Sequence, residues 1–355
     1  GCFEGADGNC LSGADGNSYG PTVIVAASNA SNTARAHFIA DGENDEDTIQ
    51  AAIDSLPTGG GTVLLTEGLF NIASSTINLA TSSRLIGQGT STVLRLVDNS
   101  DIPTGDAMIA ANQAHFTYVG YLHLEGNKAN NAAGNNDGLE FINTSSSTIE
   151  HVIANDFDVY GIHLNTNSNN NTLTANTANN NSSRGFYLFS SANNTLTSNR
   201  AETNGTNAIE VDDSSGNTLA DNYLYNNGGG GATSYSIFID DTSPDTSIID
   251  NTIIATGTAP LIFIEQSTSV RTTIAGNIFT NSELDDSTYI SDTNDGSRVA
   301  ANKTRYDQNN RRTLATKSTV GYNLFNITGS SSVALASTTQ LGTGNIFEWG
   351  NSTGE

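Results

Sequence analysis

The sequence predicts an all-β solenoid, a chain wound into parallel coils, and two columns of apolar residues carry the prediction. The first column is an apolar-x-apolar triplet that returns about every 24 residues, at Leu139/Phe141, Ile162/Leu164, Phe186/Leu188, Ile209/Val211, Ile237/Ile239 and Ile262/Ile264. The second column follows each triplet, at Ile149, Leu173, Leu196, Leu219, Ile248, Ile274 and Val299. Short period-2 strands that return at a fixed period are typical of repeat proteins whose coils stack about 4.8 Å apart. We expect about ten such coils over residues 22–312.

A third observation is an asparagine that follows the second column at a fixed distance. From Leu173 onward every member of that column is followed three residues later by Asn, at Asn176, Asn199, Asn222, Asn251, Asn277 and Asn302. Stacked Asn side chains hydrogen-bond to one another and to the turn backbone. We interpret these residues as structural.

The chain begins with a glycine-rich stretch, residues 1–21, which we interpret as an N-terminal arm or linker. Cys2 and Cys10 are the only cysteines and lie in a duplicated octet within this arm. They predict a local disulfide in an oxidising compartment.

A capping helix is predicted near residues 45–56. Its apolar residues fall on one helical face: Ile49, Ala52, Ile53 and Leu56. Asn44 or Asp45 suits the N-cap position, and Pro57 with the following glycines ends the helix. A single helix before a solenoid predicts a lid over the first coil, because an open end would expose core and unpaired strand edges.

Short strands are predicted after the helix. They are expected at 62–65, 69–72, 76–79, 84–86 and 93–96, where the repeat is still irregular, and 107–110 and 116–124 lead into the regular coils. Residues 313–355 contain apolar stretches outside the period. We interpret them as a non-repeating β segment that serves as a C-terminal cap, an oligomerisation segment, or both.

Several segments resemble a known group of proteins. They are Asp45–Asp54, the run Gly-Gly-Gly-Thr-Val-Leu-Leu that ends at Leu65, Glu67-Gly-Leu-Phe, Leu85-Ile-Gly-Gln-Gly, Thr92–Leu96, and the Asn-Asn-Thr-Leu-x-x-Asn repeats at Asn170 and Asn193. Together they resemble the right-handed parallel β-helix proteins of the pectate-lyase-like superfamily, over residues 22–310. The resemblance implies that fold. Members include lyases, glycosidases, epimerases, viral tailspikes and structural surface proteins, so the fold does not specify the chemistry.

The composition disfavours two classes of partner. Thirteen Lys plus Arg face 37 Asp plus Glu, which gives a net charge of −24. Such a surface repels nucleic acid and anionic lipid, and we expect neither as a partner. No apolar run is long enough for a membrane span.

Strand alternation predicts an outer face with two columns of side chains that point away from the core. The first column is Glu140, His163, Tyr187, Glu210, Phe238 and Phe263, and the second is Ile142, Asn165, Phe189, Asp212, Asp240 and Glu265. We call these twelve residues the aromatic-acidic face and expect them to be exposed.

The carboxylates of this face leave three interpretations open. Asp212, Asp240 and Glu265 are expected on successive coils about 5 Å apart, the separation of the catalytic pair in retaining glycosidases. Stacked carboxylates also bind cations such as Ca²⁺, for which Asp212, Asp240 and Asp241 are the candidate ligands. The third interpretation is a solvated acidic surface.

The remaining candidates suit contact with glycans or with another subunit. They are His163, Tyr187, Phe189, Glu210, Phe238 and Phe263. An aromatic ring packs against the apolar face of a pyranose, and the same rings would suit a subunit interface. Both alternatives stay open.

One short motif bears on acid–base chemistry. Tyr160-Gly-Ile-His163 resembles in part the mannuronan-epimerase motif Tyr-Gly-Phe-Asp-Pro-His, but the Asp-Pro pair is missing, and His163 is expected to be an ordinary exposed strand residue. A lyase or epimerase acting on polyuronate needs positive charge or metal near the uronate carboxylate. The only nearby cation in the sequence pattern is Arg271, so this class ranks last.

The sequence therefore favours an extracellular structural or adhesive β-helix over an enzyme. We expect a cell-surface, appendage or virion component that forms a homo-oligomer or filament and binds polysaccharide on the aromatic-acidic face. The alternative is a tailspike-like glycoside hydrolase acting on a neutral glycan through Asp212, Asp240 and Glu265. A polysaccharide lyase or epimerase comes third. No cofactor is required, and Ca²⁺ is the ion that the carboxylates suggest.

Overall fold

The computed structural model describes most of the predicted solenoid. The described residues are 21–100, 102–103, 106–131, 136–228, 234–240, 242–255, 261–265, 271–281, 290–292, 298–300 and 302–304. All of them belong to Gly1–Gly321, the first of two compact units into which the chain divides. The arm with Cys2 and Cys10, Asp241, and the segment 313–355 lie outside the described residues, and the predictions made for them remain predictions.

The described residues form a solenoid with three parallel sheets. One coil runs from a strand of sheet 1 through a two-residue turn to sheet 2, through a longer turn to sheet 3, and back to sheet 1; Thr148–Glu150, Ile153–Asn155 and Ile162–Asn165 are one example. Sheet 3 has nine strands, so the described residues contain nine complete coils and the first two strands of another. The all-β solenoid class is confirmed, with slightly fewer complete coils than the ten expected.

The strands are short and in spatial order within each sheet. Sheet 1 contains Phe38–Ile39, Thr22–Ala26, Gly61–Leu65, Ser83–Ile86, Tyr118–Gly120, Thr148–Glu150, Thr172–Thr174, Thr195–Thr197, Thr218–Ala220, Ser247–Ile249, Thr273–Ala275 and Arg298–Ala300. Sheet 2 contains Gly68–Ile72, Thr92–Leu96, His123–Glu125, Ile153–Asn155, Thr177–Asn179, Arg200–Glu202, Tyr223–Tyr225, Thr252–Ala255, Ile278–Asn281 and Lys303–Thr304. Sheet 3 contains Ile77–Asn78, Ala107–Asn112, Asp137–Ile142, Ile162–Asn165, Phe186–Phe189, Ile209–Asp212, Ile237–Asp240, Ile262–Ile264 and Ile290–Asp292.

The core consists of apolar ladders, one residue per coil. Ile162 pairs with Phe186 and Phe186 with Ile209, and all three side chains are fully buried. Each such side chain contributes roughly 1.5–3 kcal/mol through burial. The first predicted column lies in sheet 3 and the second in sheet 1. Sheet 2 supplies a further core ladder that includes Ala154 and Ala178, which are too small to stand out in the sequence pattern.

The capping helix, α1, spans Asp45–Asp54 and ends two residues before the predicted position 56. Its buried residues Ile49, Ala52 and Ile53 face the core, and it contacts strands of all three sheets at the first coil. Asn44 occupies the N-cap position, but it has a left-handed backbone (φ 50°) and its side chain does not cap the helix.

Two buried carboxylates fasten α1 to the coil beneath it. Asp45 accepts hydrogen bonds from the backbone N–H of Gly42 (2.8 Å) and Asn71 (2.7 Å). Glu46 accepts them from the N–H of Ala73 (3.1 Å) and Ser74 (2.7 Å). These acids of the first turn therefore bind neighbouring backbone in addition to favouring the helix dipole. Two shorter helices follow, the 3-10 turn Gly89–Ser91 and α2, Lys128–Asn131.

The predicted asparagines form one buried ladder, the Asn ladder, in the turn between sheets 1 and 2: Asn176, Asn199, Asn222, Asn251, Asn277 and Asn302. Each Oδ1 accepts the backbone N–H of the preceding coil, as Asn199 does from Asn176 (2.9 Å), and each Nδ2 donates to a backbone carbonyl, as Asn199 does to Leu173 (2.9 Å). Two shorter ladders, Asn171/Asn194/Asn217 and Asn181/Asn204/Asn227, have the same kind of bonding and were not predicted.

Candidate active site on the outer face of sheet 3

The first column of the aromatic-acidic face lies in register across sheet 3. Glu140, His163, Tyr187, Glu210, Phe238 and Phe263 are paired from strand to strand in that order. The expectation that the whole column is exposed is wrong, because Glu140 and His163 are each 7% exposed and Glu210 is 1% exposed. The turns that enter sheet 3 place further side chains, among them Tyr160 and Arg184, over the column.

His163 forms the centre of a buried polar group. Its Nδ1 lies 3.0 Å from Asp137 Oδ2 and 3.3 Å from Glu140 Oε1. Asp137 also accepts the backbone N–H of Tyr160 at 3.1 Å, which fixes the carboxylate. Burial raises the pKa of Asp137, although the hydrogen bond with His163 opposes the shift. The other ring nitrogen, Nε2, is buried and has no hydrogen-bond partner.

Arg184 is the cation of this face. Its Nε and Nη2 bind the two carboxylate oxygens of Glu210, the latter at 2.6 Å, and its Nη1 donates to the Tyr160 hydroxyl at 3.0 Å. Burial alone would lower the pKa of Arg184, but the hydrogen bonds and charge of Glu210 raise it.

The prediction that Arg271 is the nearest cation is wrong. Arg271 pairs with Asp245 at an exposed position in a different turn. Arg184 was missed because it lies in a turn, outside the repeating columns from which the outer face was derived.

Two aromatic rings pack against the imidazole. Tyr187 stacks on His163 with centroids 4.9 Å apart and planes at 19°, and Tyr160 meets the same ring edge-on at 5.0 Å. The Tyr187 hydroxyl donates to Asp212 Oδ2 at 2.8 Å. Burial raises the pKa of both phenols, and the bond to Asp212 raises that of Tyr187 further. We call Asp137, Tyr160, His163, Arg184, Tyr187 and Glu210 the sheet-3 cluster.

The aromatic part of the face continues toward the C-terminal coils. Phe189 lies 6.1 Å from Tyr187, and Phe238 lies 5.6 Å from Phe263. Tyr235, which was not predicted, stacks on Phe263 at 4.6 Å and 19°. All of these rings are partly exposed.

The predicted acids are placed as follows. Asp212 and Asp240 are paired on neighbouring strands, and Glu265 follows the strand Ile262–Ile264 at an exposed position. Asp241 lies outside the described residues. Glu210, Asp212 and Asp240 offer three carboxylate oxygens within 4.8 Å of one another, so this trio has the spacing to hold a cation.

The comparison with known families supplies the last observation on the fold. Residues 96–236 match the family described as right handed beta helix region. The chain is a right-handed parallel β-helix. The match confirms the right-handed parallel β-helix fold that the resemblance implied.

Several solved structures resemble this β-helix. The A-module of mannuronan C-5 epimerase AlgE4 from Azotobacter vinelandii is 20% identical (TM-score 0.53; 79% of this chain, 97% of that chain). An alginate lyase from Paenibacillus sp. is 14% identical (TM-score 0.59; 80% and 95%). Tailspike protein 2 from an Escherichia coli O157:H7 bacteriophage is 14% identical (TM-score 0.53; 74% and 37%), so this β-helix spans a little over a third of it. At these identities the likeness shows the fold alone.

No curated protein sequence matches the β-helix. Among the described residues, each helix is too short or too polar to cross a lipid bilayer.

Proposed function

We propose that this β-helix is a carbohydrate-active enzyme, a lyase or epimerase that removes the proton beside a uronate carboxylate in an acidic polysaccharide. One observation carries the proposal: the Nδ1 of His163 is held by buried Asp137, its Nε2 has no hydrogen-bond partner, and the imidazole meets edge-on a phenol, Tyr160, that is held by Arg184. A carboxylate that fixes one imidazole nitrogen sets the other up to accept a proton.

The chemistry requires one base and one acid on this face. His163 Nε2 accepts the proton from the ring carbon next to the carboxylate, and the electron pair of that C–H bond moves toward the carboxylate. In a lyase the pair then forms a C=C bond as the C–O bond to the neighbouring sugar breaks, and Tyr160 donates its proton to the leaving oxygen. In an epimerase Tyr160 returns a proton to the carbon from the opposite side.

Arg184 supplies the positive charge that this substrate needs. A guanidinium has five N–H donors, and three of those of Arg184 are used for Glu210 and Tyr160. The other two suit the carboxylate of a uronate, whose negative charge grows as the proton leaves. The presence of this cation reverses the ranking obtained from the sequence, which placed the lyase or epimerase last.

The similar structures support the class without deciding it. An epimerase and a lyase are among them, and so are tailspikes. The extracellular or virion location and the homo-oligomer expected from the sequence belong to this proposal as well, because polysaccharides are met outside the cell.

The experiment is a panel of acidic polysaccharides in deuterated water. We expect either ultraviolet absorbance from an unsaturated product or deuterium at the carbon beside the carboxylate. The assays include added salt, because a net charge of −24 slows the approach of a polyanion and salt screens that repulsion. Tyr160→Phe and His163→Asn should each lower the rate by about 10²-fold or more.

The control variant is Tyr223→Phe. Tyr223 is a partly buried tyrosine of sheet 2 with Arg200 over its ring at 4.5 Å, much as Arg184 lies over Tyr187 at 4.4 Å. It should leave the rate unchanged. A panel in which no polymer gains a double bond or deuterium contradicts the proposal.

A second candidate is the glycoside hydrolase of the sequence analysis, and the pairing of Asp212 with Asp240 on adjacent strands favours it. In that case neutral glycans would be cut, Asp240→Asn would abolish the cleavage, and Tyr160→Phe would leave it intact. Binding of glycans without any product would instead favour the adhesive role.

A further inference from the structure

We infer that Tyr187 is a lid over His163 that a sugar ring displaces when substrate binds. The inference rests on the proposed function for the identity of the occupant. Its structural basis is the unpartnered Nε2 of His163 and the contacts of the ring that covers it.

The imidazole of His163 contains a buried nitrogen that lacks a hydrogen bond. His163 is 7% exposed and its Nε2 is buried without a hydrogen bond. Nearly all buried polar atoms in folded proteins have a partner, and leaving one without a partner costs about 1–3 kcal/mol. A ligand with a hydroxyl group can therefore stabilise this site by forming a hydrogen bond with Nε2.

The face of the imidazole is covered by an aromatic ring. Tyr187 lies flat on the imidazole, while Tyr160 only touches its edge. Tyr160 is also tied through its hydroxyl to Arg184, which Glu210 holds with two bonds. Of the two rings, Tyr187 is thus the one whose departure uncovers the face of His163.

Tyr187 is held in place by one hydrogen bond and by contacts of its ring. Its hydroxyl makes one hydrogen bond, to Asp212, and Asp212 is only partly buried. The Arg184 guanidinium lies 4.4 Å from the Tyr187 ring centre and would remain in place if the ring swung outward. One hydrogen bond, ring stacking and the cation–π contact with Arg184 are together a modest barrier compared with the binding energy of a polymer chain.

A pyranose ring is the occupant that suits the place of the Tyr187 ring. The place that Tyr187 would vacate lies against the imidazole face, with Arg184 and Asp212 beside it. A pyranose ring has the matching chemistry, an apolar face with hydroxyl groups on its rim. The sugar would then hydrogen-bond to Nε2 and release Asp212 from Tyr187.

The test is chemical labelling of histidine with diethyl pyrocarbonate, followed by peptide mass spectrometry, in the absence of sugar. His151, which is exposed, is the internal reference. In the unaltered protein His163 should react at least about tenfold more slowly than His151, which corresponds to 1.4 kcal/mol of opening free energy. Tyr187→Phe, which keeps the ring and loses the bond to Asp212, should raise the His163 rate severalfold, and Tyr187→Ala should bring it close to that of His151.

Three results would overturn the lid. They are a His163 that reacts as fast as His151 in the unaltered protein, equal rates in all three proteins, or an equal rise in Tyr223→Phe, which would indicate general loosening. Because no substrate is present, the labelling result stands apart from the activity assay. Labelling as expected with no activity on any polymer keeps the lid and rejects the proposed function.

If the enzyme is active, kinetics give a second test of the lid. Tyr187→Phe should lower KM and leave kcat nearly unchanged, because opening becomes easier and the chemical groups remain. A large fall in kcat would make the Tyr187 hydroxyl part of the chemistry and would reject a role confined to covering His163.

Discussion

The Asn ladder and the sheet-3 cluster are built on the same geometry and differ in repetition. Both place one side chain per coil at equivalent positions of stacked strands or turns. In the Asn ladder six successive coils supply the same residue with the same kind of hydrogen bonds, whereas the first column of sheet 3 changes from Glu140 to His163, Tyr187 and Glu210. In this molecule repetition marks structure, and departure from repetition marks the candidate chemistry.

The largest effect is expected where the departure is most buried, at the pair of Arg184 with Glu210. Arg184→Met leaves the Glu210 carboxylate buried without its partner and should lower the free energy of unfolding by about 3–5 kcal/mol. Denaturant unfolding measures the change. The double variant Arg184→Met/Glu210→Leu should be less destabilised than the single one, because it removes the uncompensated charge. A loss below about 1 kcal/mol in the single variant would mean that Glu210 does not depend on Arg184.

The next effect sharpens the claim that the members of the Asn ladder are equivalent. The Asn222 side chain makes four hydrogen bonds, two accepted from Asn199 and two donated, to Leu196 and Asn251. Asn222→Ala should lower the free energy of unfolding by about 2–4 kcal/mol, since several buried groups lose partners. The same change at Asn199 should have the same effect within about 0.5 kcal/mol, and Thr218→Ala on an outward position of sheet 1 is the near-neutral control. Very different losses at the two asparagines would break the comparison.

The smallest effect concerns pH and a carboxylate in the first column of sheet 3, Glu140. Burial raises the pKa of Glu140, although the hydrogen bond from Asn165 opposes the shift. A carboxyl whose pKa is higher in the folded state holds its proton longer there, so its contribution to stability falls as pH rises from the ordinary value through the raised one. Glu140→Gln should therefore gain stability relative to the unaltered protein over that window.

A carboxyl with the opposite shift provides the contrast for this measurement. Hydrogen bonds from Ser31 lower the pKa of Glu67. Glu67→Gln should therefore be less stable than the unaltered protein at pH values above the ordinary pKa, and the difference should vanish as pH falls through the lowered pKa. Unfolding measured across a pH series decides both. If the free energy of unfolding of Glu140→Gln runs parallel to that of the unaltered protein across the pH series, the pKa of Glu140 is not raised in the folded state and the prediction is wrong.

The fold could be predicted from the sequence because its determinants repeat. The triplets that begin at Leu139 and the asparagines that follow Leu173 recur at coil spacing, and a recurring signal survives without knowledge of contacts. The small core residues Ala154 and Ala178 were missed because alanine is common in every environment.

The candidate site could be predicted only in part. Strand alternation placed His163, Tyr187 and Glu210 on one outer column, but it gave no information on what lies above them. Tyr160 and Arg184 each lie two residues before the first apolar residue of a triplet and so follow the coil spacing, but the outer columns were derived only from positions inside the triplets and directly after them. They decide both the burial of His163 and the presence of a cation at the site. The column was therefore right, but the cation beside it was missed.

The longer turns between sheets 2 and 3 vary in length without disturbing the ladders on either side, as the greater separation of Tyr225 from Ile237 than of Glu202 from Ile209 illustrates. The turns before Ile162, Phe186 and Ile237 deliver Tyr160, Arg184 and Tyr235 to one common surface. A new loop inserted at such a turn would change the side chains on this surface, while the coils below keep their register. Laboratory evolution of new specificity on this scaffold would best begin by diversifying those loops alone.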